Sequence, residues 1–374
     1  MGPPDPESDL YPPGPANDGR GRNNSDDDGD LEPFAEWAPS RPGTARRTFC
    51  DLHIHVGASV APHVMWSIAH QQGFKLPVKD YFEFVELITA NPRKVRSLED
   101  YLAILHTWTE RIQSSPAAME RAVYEVIGKE YRGSRVDRIE LRFNPMKRNL
   151  GGERDLDHII HASLRGMDRA CLEYGVQAGL MFCLAREFPA ELNEVILEKA
   201  IKYRDRGVVG IDLAGTEKNA VELTESVGRY ARIFERAREA GLGTTVHTGE
   251  TQATSGEGVM ATLRTLKPDR IGHGVRAAYN PDAVKMLADS GTVLEICPTS
   301  NLNTRAVRHL EEFNYILGTF REGGVRFTVN TDGTYLCSTN LMNEFRLLVE
   351  AEILTPEEAD RVRALAFDVS FIPT

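Results

Sequence analysis

Four histidines and two acids stand where chemistry could be done. His53 and His55 are one residue apart in "DLHIHVGAS" (51–59). His247 and Glu250 share "VHTGE", His273 lies between glycines in "IGHG", and Asp332 sits in "NTDG". On a strand, residues two apart point to one face, so His53 and His55 can reach the same ion. Imidazole nitrogens with a carboxylate suit Zn²⁺, whereas an all-oxygen set would suit Mg²⁺ or Ca²⁺. His53, His55, His247 and Asp332 would leave room for a water, whose pKa a metal lowers from 15.7 toward about 7. Glu250, three residues past His247, would reach a substrate without ligating the ion, as a general acid or base must. Taken singly, each residue has a plainer reading. An H-x-H pair can be the polar face of a strand, His273 a core histidine, Asp332 a turn residue before Gly333, and Glu250 a solvated carboxylate. The other histidines (His63, His70, His106, His158, His161 and His309) fall outside any motif and receive no role.

These residues need elements that bring them together. Eight β-like runs follow residue 46: 49–56, 138–145, 177–186, 208–215, 243–250, 270–275, 292–300 and 326–333. Amphipathic helical stretches lie between most of them. In 223–241, Val227, Tyr230, Ala231, Phe234 and Ala237 recur at helical spacing and Gly241 ends the segment. Eight alternating strands and helices predict an α/β fold, a (β/α)₈ TIM barrel. A doubly wound sheet is the alternative, but no G-x-G-x-x-G follows any run. In a barrel the six residues converge at the C-terminal strand ends, where active sites sit. More than 80 residues, mostly helical, separate the first two runs, an insertion placed to cover that mouth.

Composition bounds the rest. The chain has 374 residues and a formal net charge of −11. Residues 1–40 hold ten acids, two bases and eight of the 20 prolines, so the body is close to neutral and carries no footprint for a nucleic-acid backbone. Segment 1–45 is too polar and proline-rich to offset the entropy of ordering, and reads as a disordered tail ahead of a barrel domain over 46–374. It lacks the basic start and apolar core of a secretory signal. No run of 18 apolar residues suggests a membrane span. The five scattered cysteines form no C-x-x-C pair and point to reduced thiols in a cytoplasmic protein.

In order, "HIH", "HTGE", "RIGHG", "CPTSN" and "NTDG" spell a pattern, supported by "RIELRFNP" and "VVGIDLAGTE". From about residue 48 to the end, where "ALAFDVSFIP" matches a closing helix, the chain resembles the adenosine deaminase family of metal-dependent amidohydrolases. The resemblance implies one zinc ion per chain on His53, His55, His247 and Asp332. It implies Glu250 as proton donor to the ring nitrogen beside the amino-bearing carbon, and His273 with Asp332 as the groups that orient and deprotonate the attacking water. It further places His55, Gly57, Gly215, Leu98, Tyr101 and Gly333 around the substrate. Gly215 would offer its backbone N–H to a purine nitrogen, and Leu98 and Tyr101 belong to "SLEDYLAIL" (97–105), a lid helix. By spacing alone Leu98, Tyr101 and Leu105 make an ordinary core stripe. Two positions depart from the family pattern. Gly57 stands where an Asp usually meets the ribose, and Gly333 where a second Asp meets the purine's five-membered ring. The implied function is zinc-dependent deamination of adenosine or a related 6-aminopurine nucleoside, giving the 6-oxo product and ammonia. An aminohydrolase for another amino-substituted heterocycle is the second reading, and a barrel that binds without turnover the third. The expected partner is a small-molecule substrate, with no nucleic acid or membrane; a homo-oligomer is left open.

Overall fold

The computed structural model describes residues 48–373 except 92, 151, 153 and 154, so the acidic segment 1–45 lies outside the described residues. Eight strands form one sheet in sequence order, every neighbouring pair parallel. They are β1 (Phe49–His55), β2 (Val136–Phe143), β3 (Gln177–Ala185), β4 (Val208–Ala214), β5 (Gly243–Thr248), β6 (Arg270–His273), β7 (Val293–Ile296) and β8 (Phe327–Val329). Helices fill the connections, as parallel strands require. The barrel closes through a bridge between Ile54 and Asp332, with His55 N–H donating to Asp332 O and Asp332 N–H to His53 O, both at 2.7 Å. The expected barrel is therefore present, and Asp332 takes part in its closure.

All eight runs contain a strand, but the last two overshoot. Residues 298–300 open a helix, Pro298–Asn303, because proline supplies no strand N–H yet suits a first helical turn. Asp332 adopts φ +60°, which ends strand geometry beyond β8.

The insertion between β1 and β2 is helical, as expected. It contains Pro62–Gln71, Tyr81–Ile88, Leu98–Ile104 and Pro116–Ser134. Ser97 and Ser115 cap the last two by accepting from Asp100 N and Ala118 N. Leu98–Ile104 runs into a π-helical turn, Leu105–Thr109, which turns Leu105 and His106 toward the barrel mouth together with Leu98 and Tyr101. Helices Pro116–Ser134 and Leu156–Tyr174 pack so closely that a Cβ on Gly166 would lie 2.2 Å from Glu120 O.

The barrel interior is charged rather than aliphatic. At its lower end Arg270 binds Glu140 and, through Nε at 2.7 Å, Glu295. Above it, Arg142 reaches Glu295 at 3.0 Å and Asp212 at 3.2 Å. All five side chains are buried. Such charges are tolerable only when mutually paired, so the ladder constrains what stands above it. The chain end seals the bottom: Phe371 N–H and Ser370 Oγ donate to Glu140, and the Phe371 ring lies 3.6 Å from the Arg270 guanidinium carbon. Among the described residues, no helix is long and apolar enough to cross a membrane. The five cysteines are unpaired and four of them are buried.

Candidate active site

Strand ends β1 and β5 bring His53, His55 and His247 together, with ligand-capable atoms within 4.8 Å of one another. His53 Nδ1 lies 2.7 Å from Glu295 and His247 Nδ1 3.0 Å from Asp212, two acids of the barrel ladder. A carboxylate accepts, so each Nδ1 carries the proton and each Nε2 is left as a lone-pair donor. Arg142 Nη1, 3.2 Å from His53 Nδ1, adds positive charge beneath the ring. Burial first, then Arg142, pushes the His53 pKa well below the usual histidine range, and burial takes His55 down to about 3.

His53 Nε2 is buried without a hydrogen-bond partner among the described residues. His55 Nε2 and His247 Nε2 face each other at 3.1 Å. Neutral imidazoles that turn lone pairs toward one point are stabilised by a cation there. Asp332 Oδ1 is 3.4 Å from His55 Nε2 and 3.8 Å from His53 Nε2, while its Oδ2 accepts from Ser300. Three nitrogens and a nearby carboxylate oxygen form a donor set that fits Zn²⁺.

Glu250 and His273 lie beside this cluster. Glu250 sits beyond β5 and is 2% exposed. Its Oε1 accepts from Thr304 at 3.1 Å, and its Oε2 is 3.6 Å from His273 Nε2. Burial, then the charges of Glu217 and Asp332, pushes its pKa up to about 8, so its carboxyl holds a proton at neutrality. Glu217 also fixes the loop by accepting from Glu250 N at 3.0 Å and Thr251 N at 2.7 Å. The His273 ring centroid is 4.9 Å from that of His53. His273 Nδ1 lies 3.0 Å from the Asn301 amide. An amide nitrogen there puts the ring proton on Nε2; the amide oxygen would put it on Nδ1 and free Nε2 to accept one. His273 and Asp332 both take left-handed backbone conformations, φ +62° and +60°, strained for residues with a side chain.

These groups open on a cavity of about 70 Å³ at the mouth of the barrel. His55, Gly57, Leu98, Tyr101 and Gly215 line it, together with His247, Glu250, His273 and Asp332. Gly215 has φ +105°, and a Cβ there would lie 2.5 Å from Glu187 Oε2, so its backbone is open to the cavity only as glycine. Gly333 is not part of the wall. A Cβ on it would lie 2.4 Å from Ala58 Cβ and 2.8 Å from the Tyr101 hydroxyl, and Tyr101 is among the residues that line the cavity. Sequence reasoning passed over Asp212, Glu217, Glu295 and Asn301, which orient the site. It also passed over Asn144, Lys147 and Arg148, which line the cavity. His106, given no role, lines it as well. "RIELRFNP" and "VVGIDLAGTE" contained the signal for three of them, Asn144, Asp212 and Glu217.

Residues 49–374 match the family model described as adenosine deaminase. The adenosine deaminase of Enterococcus faecalis is 31% identical over 322 residues, 86% of this chain and 91% of that protein. An adenine deaminase structure from Arthrobacter aurescens superimposes with a TM-score of 0.76 at 21% identity, covering 87% of this chain and 94% of the other. An amidohydrolase from Burkholderia ambifaria, solved with bound Zn, gives 0.75 at 20% identity over 89% and 91%. With the model matched from the first strand to the chain end, the protein belongs to the adenosine deaminase family.

Proposed function

We propose that this chain hydrolyses the exocyclic C–N bond of a 6-aminopurine nucleoside, adenosine or a relative, giving the 6-oxopurine and ammonia with one zinc ion per chain. The carrying observation is the buried His53 Nε2, unpartnered among the described residues, inside a three-histidine cluster in which the Nδ1 atoms of His53 and His247 are tied to Glu295 and Asp212. His53, His55, His247 and Asp332 would hold the ion, which supplies Lewis acidity and makes hydroxide accessible near neutral pH.

The chain's own groups supply the rest. Glu250, protonated by burial, donates to the ring nitrogen beside the amino-bearing carbon, so that carbon becomes electrophilic. With the Asn301 amide oxygen turned to His273 Nδ1, the ring's Nε2 is free, and His273 with Asp332 holds the attacking water and takes its proton. Oxygen adds to the carbon, the C–N bond breaks as the proton held by His273 passes to the amine, which leaves as ammonia, and the remaining hydroxyl proton returns to Glu250 as the 6-oxo group forms. Gly215 N–H donates to a purine nitrogen, and Leu98, Tyr101 and Leu105 exclude water above the ring. Gly57 and Gly333 favour keeping a second reading, an aminohydrolase for a differently substituted heterocycle, because two substrate-reading acids of the family pattern are absent. Ammonia release from a panel of aminopurines, their nucleosides and aminopyrimidines separates the two. Turnover confined to 6-aminopurine nucleosides is expected; turnover only of another ring overturns the first reading.

A further inference from the structure

The two glycines that break the family pattern are not merely empty of acid, because other side chains fill the space beside them. At Gly333 the fillers are the Ala58 methyl and the Tyr101 hydroxyl. At Gly57 it is a cation: a Cβ there would lie 2.8 Å from Arg148 Nη2. Where the resemblance sets a carboxylate against the sugar, this chain presents a guanidinium.

Arg148 is 1% exposed yet lines the cavity. Its Nη1 lies 2.9 Å from Glu110 Oε1, but neither Nη1 nor Nε has an aligned hydrogen-bond partner among the described residues. The Asn144 Nδ2 amide, on the same loop and also buried, is unpartnered too. Buried donors without acceptors cost free energy in proportion to their number. The unmet atoms of Arg148 and Asn144 are donors, so the partner those two side chains lack is an acceptor; the nearby unmet atoms of Asn149 and Gln113, Oδ1 and Oε1, are acceptors and belong to other side chains. A guanidinium beside it favours one that is charged and planar or multidentate. At the rim Lys147 Nζ stands 3.0 Å from His106 Nε2 and 3.8 Å from Glu187 Oε2. Arg148 and Lys147 are balanced by Glu110 and Glu187, so attraction would come from directed donors rather than from excess charge.

We propose that Arg148, with Asn144, binds an anionic group on the sugar side of the substrate, so that the substrate is an aminopurine nucleoside bearing a carboxylate or a phosphate. This rests on the deaminase reading for the purine half only; the anion half has its own readout. The zinc-loaded protein is titrated with three 6-oxo products: inosine, inosine 5′-phosphate and the 5′-carboxylate of inosine. Ammonia release is followed in parallel from the three matching adenosine compounds. A charged hydrogen-bond pair predicts that one anionic ligand binds ~10–100-fold tighter than inosine, and which one does so identifies the anion. Arg148→Gln should shrink that ratio to about threefold or less, removing the fork. Glu110→Gln should widen it, because Arg148 loses its competitor. A purely structural Arg148–Glu110 pair predicts no widening. If Arg148→Gln does not fold, the wild-type ratio and Glu110→Gln decide. Equal binding of neutral and anionic ligands by the wild type, or a ratio unmoved in both variants, overturns the proposal. Anion-selective binding without ammonia from any compound sustains it and sinks the deaminase reading; ammonia release without anion preference does the reverse.

Discussion

Replacing Glu250 by glutamine separates catalysis from binding. The change keeps the side chain's volume in a site where it is 2% exposed, and the amide oxygen can still accept from Thr304. What it removes is the acidic proton that burial, Glu217 and Asp332 keep on the carboxyl up to about pH 8. Loss of a positioned general acid lowers turnover by ~10²–10⁴-fold, about 3–5 kcal/mol of transition-state stabilisation. Metal content should be unchanged, because Glu250 is outside the three-histidine cluster. The wild-type rate should fall as pH rises through the Glu250 pKa, since the acid is active only while protonated. A cation in the cluster favours the carboxylate and sets that limb below about 8. The assay is ammonia release across pH, with metal analysis of the same preparations. Turnover within a few-fold of wild type at full metal occupancy would refute the role given to Glu250.

Three further outcomes follow from the same geometry. Asp212→Asn, which weakens the partner of His247 Nδ1, should lower metal affinity ~10–100-fold by competition with a chelator, and His247→Ala should lower it further; unchanged affinity in both would remove His247 from the ligand set. Burial raises the Glu344 pKa to about 7 despite bonds from Thr299 N and Thr339 Oγ1. The folded state therefore holds that proton more tightly than the unfolded chain, so its stabilising contribution is complete below about pH 4.5 and is lost as pH rises through 7. Up to about 3 kcal/mol of stability should be lost over that window, and denaturant melts of Glu344→Gln should lack this component of the slope. Gly166→Ala should cost ~1–3 kcal/mol or more, because its Cβ meets the Glu120 carbonyl in a helix contact that cannot open locally; a melting temperature equal to wild type would contradict that packing.

What could be read from the sequence was what obeys short-range periodicity. His53 and His55 share a face because a strand repeats every two residues. His247, His273 and Asp332 then fall beside them because barrel strands end on one rim. The runs at 292–300 and 326–333 ran too long because Pro298 and the left-handed Asp332 change the backbone course within one residue. Arg148, Lys147 and His106 were invisible for another reason. They come from the loop after β2 and the insertion after β1, more than 40 residues apart for Arg148 and His106, and only packing brings them to one wall. Gly57 and Gly333 were legible as missing acids; that Arg148 and Tyr101 occupy the neighbouring space required coordinates. Leu98, Tyr101 and Leu105 serve both readings of their stripe, since they are buried in an apolar cluster with Leu336 and also line the cavity.

The most direct test is a titration of metal-free protein with zinc, following ammonia release from a preferred aminopurine nucleoside. The arrangement of His53, His55, His247 and Asp332 predicts activity that rises linearly and saturates at one zinc per chain, with His53→Ala failing to respond at stoichiometric zinc. Full activity in the chelator-treated protein, or a His53→Ala variant that saturates at the same equivalence, would contradict the account.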